Sequence, residues 1–114
     1  DGDFLMNGQE MATAAQYGLD MLVIVFDNST YGTIRMHQER EYPGREASTH
    51  LANPDFAKLA ESFGGWGARV ENNAQFDAAL EEAMQRKGIR LLHCITDIEQ
   101  LSAAGATVSA LRGE

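Results

Sequence analysis

The sequence predicts an α/β fold, a doubly wound parallel sheet with helices on both faces. Two apolar segments of strand length, residues 21–26 and 89–95, are continuous rather than alternating, which is typical of strands buried on both faces. Helix-forming segments precede and separate them. Strands that alternate with helices favour right-handed crossovers and a parallel sheet. The length of 114 residues predicts a single domain at most.

The first half of the chain is predicted to contain a helix, a strand and a second helix. Helix-forming residues run over 5–17 and end at a glycine, which can close a helix in the left-handed conformation. The strand over 21–26 follows. The next helix begins near residue 31 and includes 34–40. It ends before Pro43, because proline cannot continue a helix.

The second half is predicted to contain two helices, two strands and a short final helix. Asn53, Pro54 and Asp55 are typical of an N-cap, a proline at the first helical position and an early acid, so a helix is expected from there to residue 63. The remaining elements are a strand over 67–70, a helix capped by Asn72, the strand over 89–95 and a short helix within 102–111.

The composition excludes some classes of partner. The formal net charge is −8, from 9 basic and 17 acidic residues, so the chain lacks the basic face that nucleic-acid binding requires. No apolar stretch reaches membrane-spanning length, and no nucleic-acid or membrane partner is expected. Cys94 is the single cysteine, which excludes an intramolecular disulfide. These features favour a cytoplasmic location.

Small polar residues gather at two predicted strand ends. Asp1 and Asn28 supply a carboxylate and an amide oxygen, hard donors of the kind that Mg²⁺ prefers. The backbone carbonyl of Thr30 is a candidate third ligand. Ligands of open parallel sheets bind outside the carboxyl ends of the strands, which is where both motifs are predicted. The sequence therefore predicts a metal site formed by Asp1, Asn28 and Thr30.

The same residues and their neighbours are predicted to bind a diphosphate. Glycine at positions 2 and 32 lets the backbone approach a phosphate, and the N–H groups of residues 31–33 are expected to face it from a helix start. Asp3 lies at the same edge. No residue of the chain is predicted to be catalytic, and the candidate cofactor-binding residues are Asp1, Gly2, Asp3, Asn28, Thr30, Tyr31, Gly32 and Thr33.

The segment DGDFLMNGQEMATAAQYGLDMLVIVFDNSTYG resembles the cofactor motif of thiamine-diphosphate-dependent enzymes, Gly-Asp-Gly, about 25 residues and then Asn-Asn. Asp1 and Gly2 correspond to its Asp-Gly, 24 residues separate Gly2 from Asp27, and Asn28 corresponds to the second Asn. NPDFAKLAESFGG is also similar to the acetolactate synthase and benzoylformate decarboxylase branch. The motif's leading Gly is absent, and Asp27 replaces its first Asn.

The resemblance implies thiamine diphosphate and Mg²⁺ as cofactors and a 2-oxo acid as substrate, in decarboxylation or carboligation by a lyase or transferase. It implies that residues 1–114 are the C-terminal portion of the diphosphate-binding domain, a partial form of that fold without the pyrimidine-binding and middle domains. The full-length enzyme is expected to be a homo-oligomer, a dimer or tetramer. These 114 residues alone are expected to be inactive.

A second hypothesis is a non-catalytic, receiver-like or regulatory phosphate-binding α/β domain. In the receiver-like form, Asp27 is the strand-end phosphoacceptor. Such a domain also needs a Lys after a late strand, and the late strand here is followed by Thr96 and Asp97. The missing Lys favours the thiamine diphosphate hypothesis.

Overall fold

The computed structural model describes residues 1–114 and confirms the α/β class. A three-stranded parallel sheet contains β1 (Met21–Asp27), β2 (Trp66–Val70) and β3 (Ile89–Ile95), in the order β1-β3-β2. The register places Asp27 beside Ile95 and Val70 beside Cys94. The carboxyl ends of the three strands therefore meet at one edge of the sheet.

Six α-helices and one short 3-10 helix surround this sheet. The helix predicted over 5–17 begins earlier, at Gly2, and a 3-10 segment (Gly8–Glu10) divides it into α1 and α2. Gly18 follows it with a φ of 61°, the left-handed conformation expected after a helix. No helix combines the length and the apolar character that crossing a membrane requires. The helices are α1 (Gly2–Asn7), α2 (Met11–Gln16), α3 (Gly32–Glu41), α4 (Phe56–Ser62), α5 (Asn73–Gln85) and α6 (Val108–Arg112).

The predicted cap of α4 was wrong. The helix begins at Phe56, and the carboxylate of Asp55 accepts a hydrogen bond from the Lys58 backbone N–H at 3.1 Å, so Asp55 is the N-cap. Pro54 precedes the helix rather than opening it. The Asn53 side chain instead donates to two carboxylates of the candidate site described below, and those contacts hold it away from α4. The predicted cap of α5 is confirmed, since Asn72 accepts from the Gln75 N–H at 2.9 Å.

The core has two layers, one on each face of the sheet. On the first face, α2 and α4 contribute to a cluster that contains Met11, Phe56 and Leu91. Gly67 permits close packing there, because a Cβ atom at this position would overlap the Ala57 carbonyl group of α4. On the second face, α5 covers β2 and β3, and Leu92 lies in the second cluster.

The expectation that β1 is buried on both faces was wrong. Val25 points into the first core layer and is 3% exposed, but Ile24 and Phe26 on the opposite face are 38% and 64% exposed. The reason is the strand order, since β1 lies at the sheet edge while α5 packs on β2 and β3. The central strand β3 is buried as predicted.

Candidate functional site

A cleft at the carboxyl edge of β1 has a volume of about 630 Å³. It is bounded by the start of α1, the turn after β1, the first residues of α3 and the segment after β3. The structure brings all of the predicted cofactor-binding residues to the lining of this one cleft: Asp1, Gly2, Asp3, Asn28, Thr30, Tyr31, Gly32 and Thr33.

Asp1 is held against the end of β1. Its backbone nitrogen donates to the Phe26 carbonyl at 2.8 Å. One carboxylate oxygen, Oδ2, accepts a hydrogen bond from Asn53 Nδ2 at 2.8 Å. The other oxygen, Oδ1, accepts none from the protein. Asp1 therefore presents one free carboxylate oxygen at the cleft that Asn28 also lines.

The turn after β1 reverses the chain within three residues. Ser29 has a φ of 56°, a left-handed conformation that is uncommon for a residue with a side chain. Asp27 Oδ1 stabilises the turn by accepting from the Ser29 N–H at 2.9 Å and from its hydroxyl at 3.1 Å. Asn28 Oδ1 accepts a long hydrogen bond of 3.3 Å from the Thr30 N–H. The Thr30 carbonyl accepts no hydrogen bond from the protein. Two uncharged oxygens thus remain for a ligand at the cleft.

The start of α3 supplies backbone donors, with one correction to the prediction. The N–H groups of Gly32 and Thr33 have no acceptor in the protein, as is usual in the first turn of a helix. The Tyr31 N–H was predicted to face a phosphate as well, but it donates to the Thr49 carbonyl at 2.8 Å. That bond belongs to the bridge that pairs residue 30 with residue 50. Of the three N–H groups predicted to face a phosphate, those of Gly32 and Thr33 are therefore free and that of Tyr31 is not.

The two glycines of the site are explained by close contacts within the protein. A Cβ atom at Gly2 would lie 2.5 Å from Cε1 of Tyr31, so only glycine lets this ring pack against α1. A Cβ atom at Gly32 would lie 3.1 Å from Nδ2 of Asn28. Both glycines therefore keep the side chains of the cleft wall in place.

A chain of hydrogen bonds connects Asp1 at the cleft to the buried side chains of Asp27 and His93. Asn53 Nδ2 donates both to Asp1 Oδ2 and to Asp27 Oδ1, the latter at 2.7 Å. The second oxygen of Asp27 lies 2.7 Å from His93 Nε2, and both of these side chains are almost fully buried. Burial by itself would raise the pKa of the Asp27 carboxyl, but hydrogen bonds from His93, Asn53 and Ser29 outweigh it and hold that pKa below its ordinary value.

Sequence reasoning missed several residues at and beneath the cleft. Asn53 was interpreted as a helix cap, and no spacing rule connects it to a residue 52 positions away. Thr96 follows β3 directly, so the strand-end argument applied to Asp1 and Asn28 could have found it. Residues 100–103 form another part of the cleft wall, but they lie outside any helix or strand, so no periodic sequence pattern could identify them.

The donor set fits a small divalent cation bound to a diphosphate. One carboxylate, one amide and one backbone carbonyl are oxygen donors that suit Mg²⁺, which keeps its remaining positions for phosphate and water. The free N–H groups at the start of α3 and the dipole of that helix favour an anion beside them. No group of three or more His, Cys, Asp or Glu side chains is placed to hold a metal, and the donor set described here contains one carboxylate.

The fold is that of a parallel α/β domain with a cleft at the carboxyl ends of its strands. Proteins of this class bind their ligands at that edge. The chain belongs to the thiamine pyrophosphate enzyme family: residues 1–94 match the family's C-terminal TPP binding domain. This match confirms the resemblance found in the cofactor motif.

Named relatives point to one branch of the family. The chain is 38% identical over 98 residues to the probable acetolactate synthase large subunit of Methanocaldococcus jannaschii, an alignment that covers 85% of this chain and 17% of the relative. It is 39% identical to the acetolactate synthase large subunit of Haemophilus influenzae, over 76% of this chain and 15% of that protein. It is 36% identical to the acetolactate synthase isozyme 2 large subunit of Escherichia coli, over 85% of this chain and 18% of that protein.

Proposed function

We propose that residues 1–114 are the C-terminal portion of the diphosphate-binding domain of a longer, acetolactate synthase-like enzyme that acts on 2-oxo acids. The match to the TPP binding domain and the names of the relatives support this proposal. The matched region spans only 17% and 15% of the first two relatives, so the pyrimidine-binding and middle domains are assigned to other parts of the polypeptide.

The proposed metal ligands are Asp1, Asn28 and the Thr30 carbonyl, and the metal is Mg²⁺. The observation that carries this proposal is the convergence of these three oxygen donors on one cleft, each with at least one oxygen that is free or weakly bonded. Of the three proposed ligands only Asp1 is charged, and the other two are neutral oxygens. Mg²⁺ readily keeps further positions for phosphate oxygens and water, so a diphosphate can complete the coordination.

The proposed diphosphate contacts are the N–H groups of Gly32 and Thr33 at the start of α3. Gly2 and Tyr31 form the neighbouring wall, and Asp3 lies at its solvent side. Thiamine diphosphate, when bound, supplies the electron sink for decarboxylation or carboligation of a 2-oxo acid. The residues of this chain bind and orient the cofactor, and we assign none of them to proton transfer. We therefore expect the 114 residues alone to be inactive.

Two further assignments belong to the same proposal. We propose a homo-oligomer, supported by the apolar side chains of Ile24 and Phe26 that β1 leaves exposed. We propose a cytoplasmic enzyme, supported by the acidic composition and the single buried, free cysteine.

The receiver-like hypothesis is disfavoured by the surroundings of Asp27, whose carboxylate is buried and already accepts hydrogen bonds from three residues.

The test uses the full-length polypeptide and titration calorimetry with thiamine diphosphate and Mg²⁺. Asn28→Ala removes an oxygen ligand, and we expect it to weaken Mg²⁺-dependent cofactor binding by at least about 10-fold. Removing a residue that only supports a metal ligand already costs about this much, so the loss of a ligand should cost no less. Asn73→Ala, an exposed asparagine in the first turn of α5, is the matched control and should bind as the wild type does. Equal affinities for Asn28→Ala and the wild type would contradict the assignment.

A further inference from the structure

Asn53 joins two carboxylates that come from distant parts of the chain. Its Nδ2 atom donates one hydrogen bond to Asp1 Oδ2 at 2.8 Å and a second to Asp27 Oδ1 at 2.7 Å. An amide nitrogen carries two hydrogens, so both donors are used. Asn53 Oδ1 is buried without a partner. The reverse orientation of the amide would point this oxygen at two carboxylates, so the observed orientation is the one that the charges require.

Asp27 is fixed on its other sides as well. Its carboxylate accepts four hydrogen bonds in total, from the Ser29 N–H, the Ser29 hydroxyl, Asn53 and His93. Oδ1 accepts three of these bonds and Oδ2 accepts the one from His93. The Asp27 side chain is only 5% exposed and does not line the cleft, so neither oxygen is open to a metal there. His93 lies in the central strand and is 1% exposed, and Phe56 packs edge-on against its ring. Asp27 is therefore a rigid anchor and not a metal ligand.

We propose that Asn53 is a positioning residue for the metal site. Its side chain is held by Asp27, and it in turn holds the carboxylate of Asp1 in one orientation. This inference rests on the proposed function, in which Asp1 binds Mg²⁺. By occupying Oδ2, Asn53 leaves Oδ1 as the oxygen that is free for the metal. Its amide also separates two carboxylates that would otherwise repel each other. Partners of this kind tune the affinity of a metal site without touching the metal.

The chemistry of the position restricts which residues can replace Asn53. Leucine has a similar shape and no donor, so it leaves Asp1 free to rotate and removes one of the three hydrogen bonds that Asp27 Oδ1 accepts. Serine has one hydroxyl hydrogen and can bridge only one of the two carboxylates. We therefore expect Asn53→Ser to weaken metal binding less than Asn53→Leu does.

The experiment measures binding of Mn²⁺ and of Mg²⁺ with thiamine diphosphate by the full-length polypeptide. We expect Asn53→Leu to raise the metal dissociation constant by about 10- to 100-fold and Asn53→Ser by less, the range typical of outer partners. At saturating metal, the cofactor affinity of both variants should return to within about 3-fold of the wild type, because the diphosphate contacts at α3 are intact. A defect in the diphosphate contacts themselves would persist at saturating metal.

Asp55→Ala is the matched control, since it removes the cap of α4 two residues away without touching the chain of Asp1, Asn53 and Asp27. It should lower the melting temperature and leave the metal affinity unchanged. If both Asn53 variants bind metal as the wild type does while Asn28→Ala binds it more weakly, the positioning role of Asn53 is wrong and the proposed function stands. Wild-type affinity in Asn28→Ala, or no metal-dependent binding by the wild type, would overturn the proposed function and this inference with it.

Discussion

Arg112 and Glu39 form a bidentate ion pair that connects α6 to α3. Arg112 Nε donates to Glu39 Oε2 at 3.0 Å and Nη2 donates to Oε1 at 2.7 Å, across 73 positions of sequence. The Glu39 carboxylate is fully buried and also accepts from the Gly44 N–H at 2.8 Å. Arg112 is the main cause, followed by Gly44, of a fall in the pKa of Glu39 to about 2. This pair holds the C-terminal segment against the helix whose first turn faces the cleft.

Replacing Arg112 by alanine should destabilise the protein far more than removing an exposed arginine. Arg112→Ala leaves a buried carboxylate without its counter-ion. We expect the free energy of unfolding to fall by about 2–4 kcal/mol. This is at the low end for the loss of one partner of a buried pair, because Arg112 itself is partly exposed. Arg69→Ala removes the exposed pair with Glu71 and should cost less than about 1 kcal/mol. Urea denaturation measures both, and similar losses would contradict the importance of the buried pair.

The same pair predicts a specific dependence of stability on pH. Because folding lowers the pKa of Glu39 from 4.5 to about 2, its stabilising effect is complete above pH 4.5 and is lost as the pH falls towards 2. The wild type should therefore be more stable than Glu39→Gln at neutral pH, and the difference should shrink between pH 4.5 and 2. The other carboxyl groups titrate in both proteins and largely cancel. A difference that is independent of pH would show that Glu39 does not titrate as described.

Local patterns were sufficient for the sheet and for much of the cleft. The continuous apolar runs identify β1 and β3, and the reason holds in full for β3, since a central parallel strand must be apolar on both faces. Polar residues that directly follow a strand lie at the carboxyl edge by geometry alone. Asn28, which follows β1, could therefore be assigned to this edge before any coordinate was known, whereas Asp1 was assigned to it by the spacing of the cofactor motif.

The remaining features depend on tertiary contacts that a local pattern does not encode. Asn53 and Asp55 are both good helix caps, and only the position of Asp1 and Asp27 in space decides that Asn53 has another role. The run over 21–26 has the same apolar character as that of β3, but strand order leaves one of its faces uncovered. The partner of Glu39 lies in a different helix near the end of the chain.

The exposed face of β1 should make the 114-residue chain self-associate at high concentration. Ile24 and Phe26 are 38% and 64% exposed on an edge strand, and apolar patches on strand edges favour association with a second copy. We expect Ile24→Thr and Phe26→Thr together to shift sedimentation towards monomer, since threonine keeps the strand preference while removing apolar area. Met84→Thr is the matched control, because Met84 is 68% exposed but lies on α5 and not on the edge strand β1. A wild-type chain that stays monomeric at high concentration, or an equal shift in the Met84 variant, would contradict the assignment of this face.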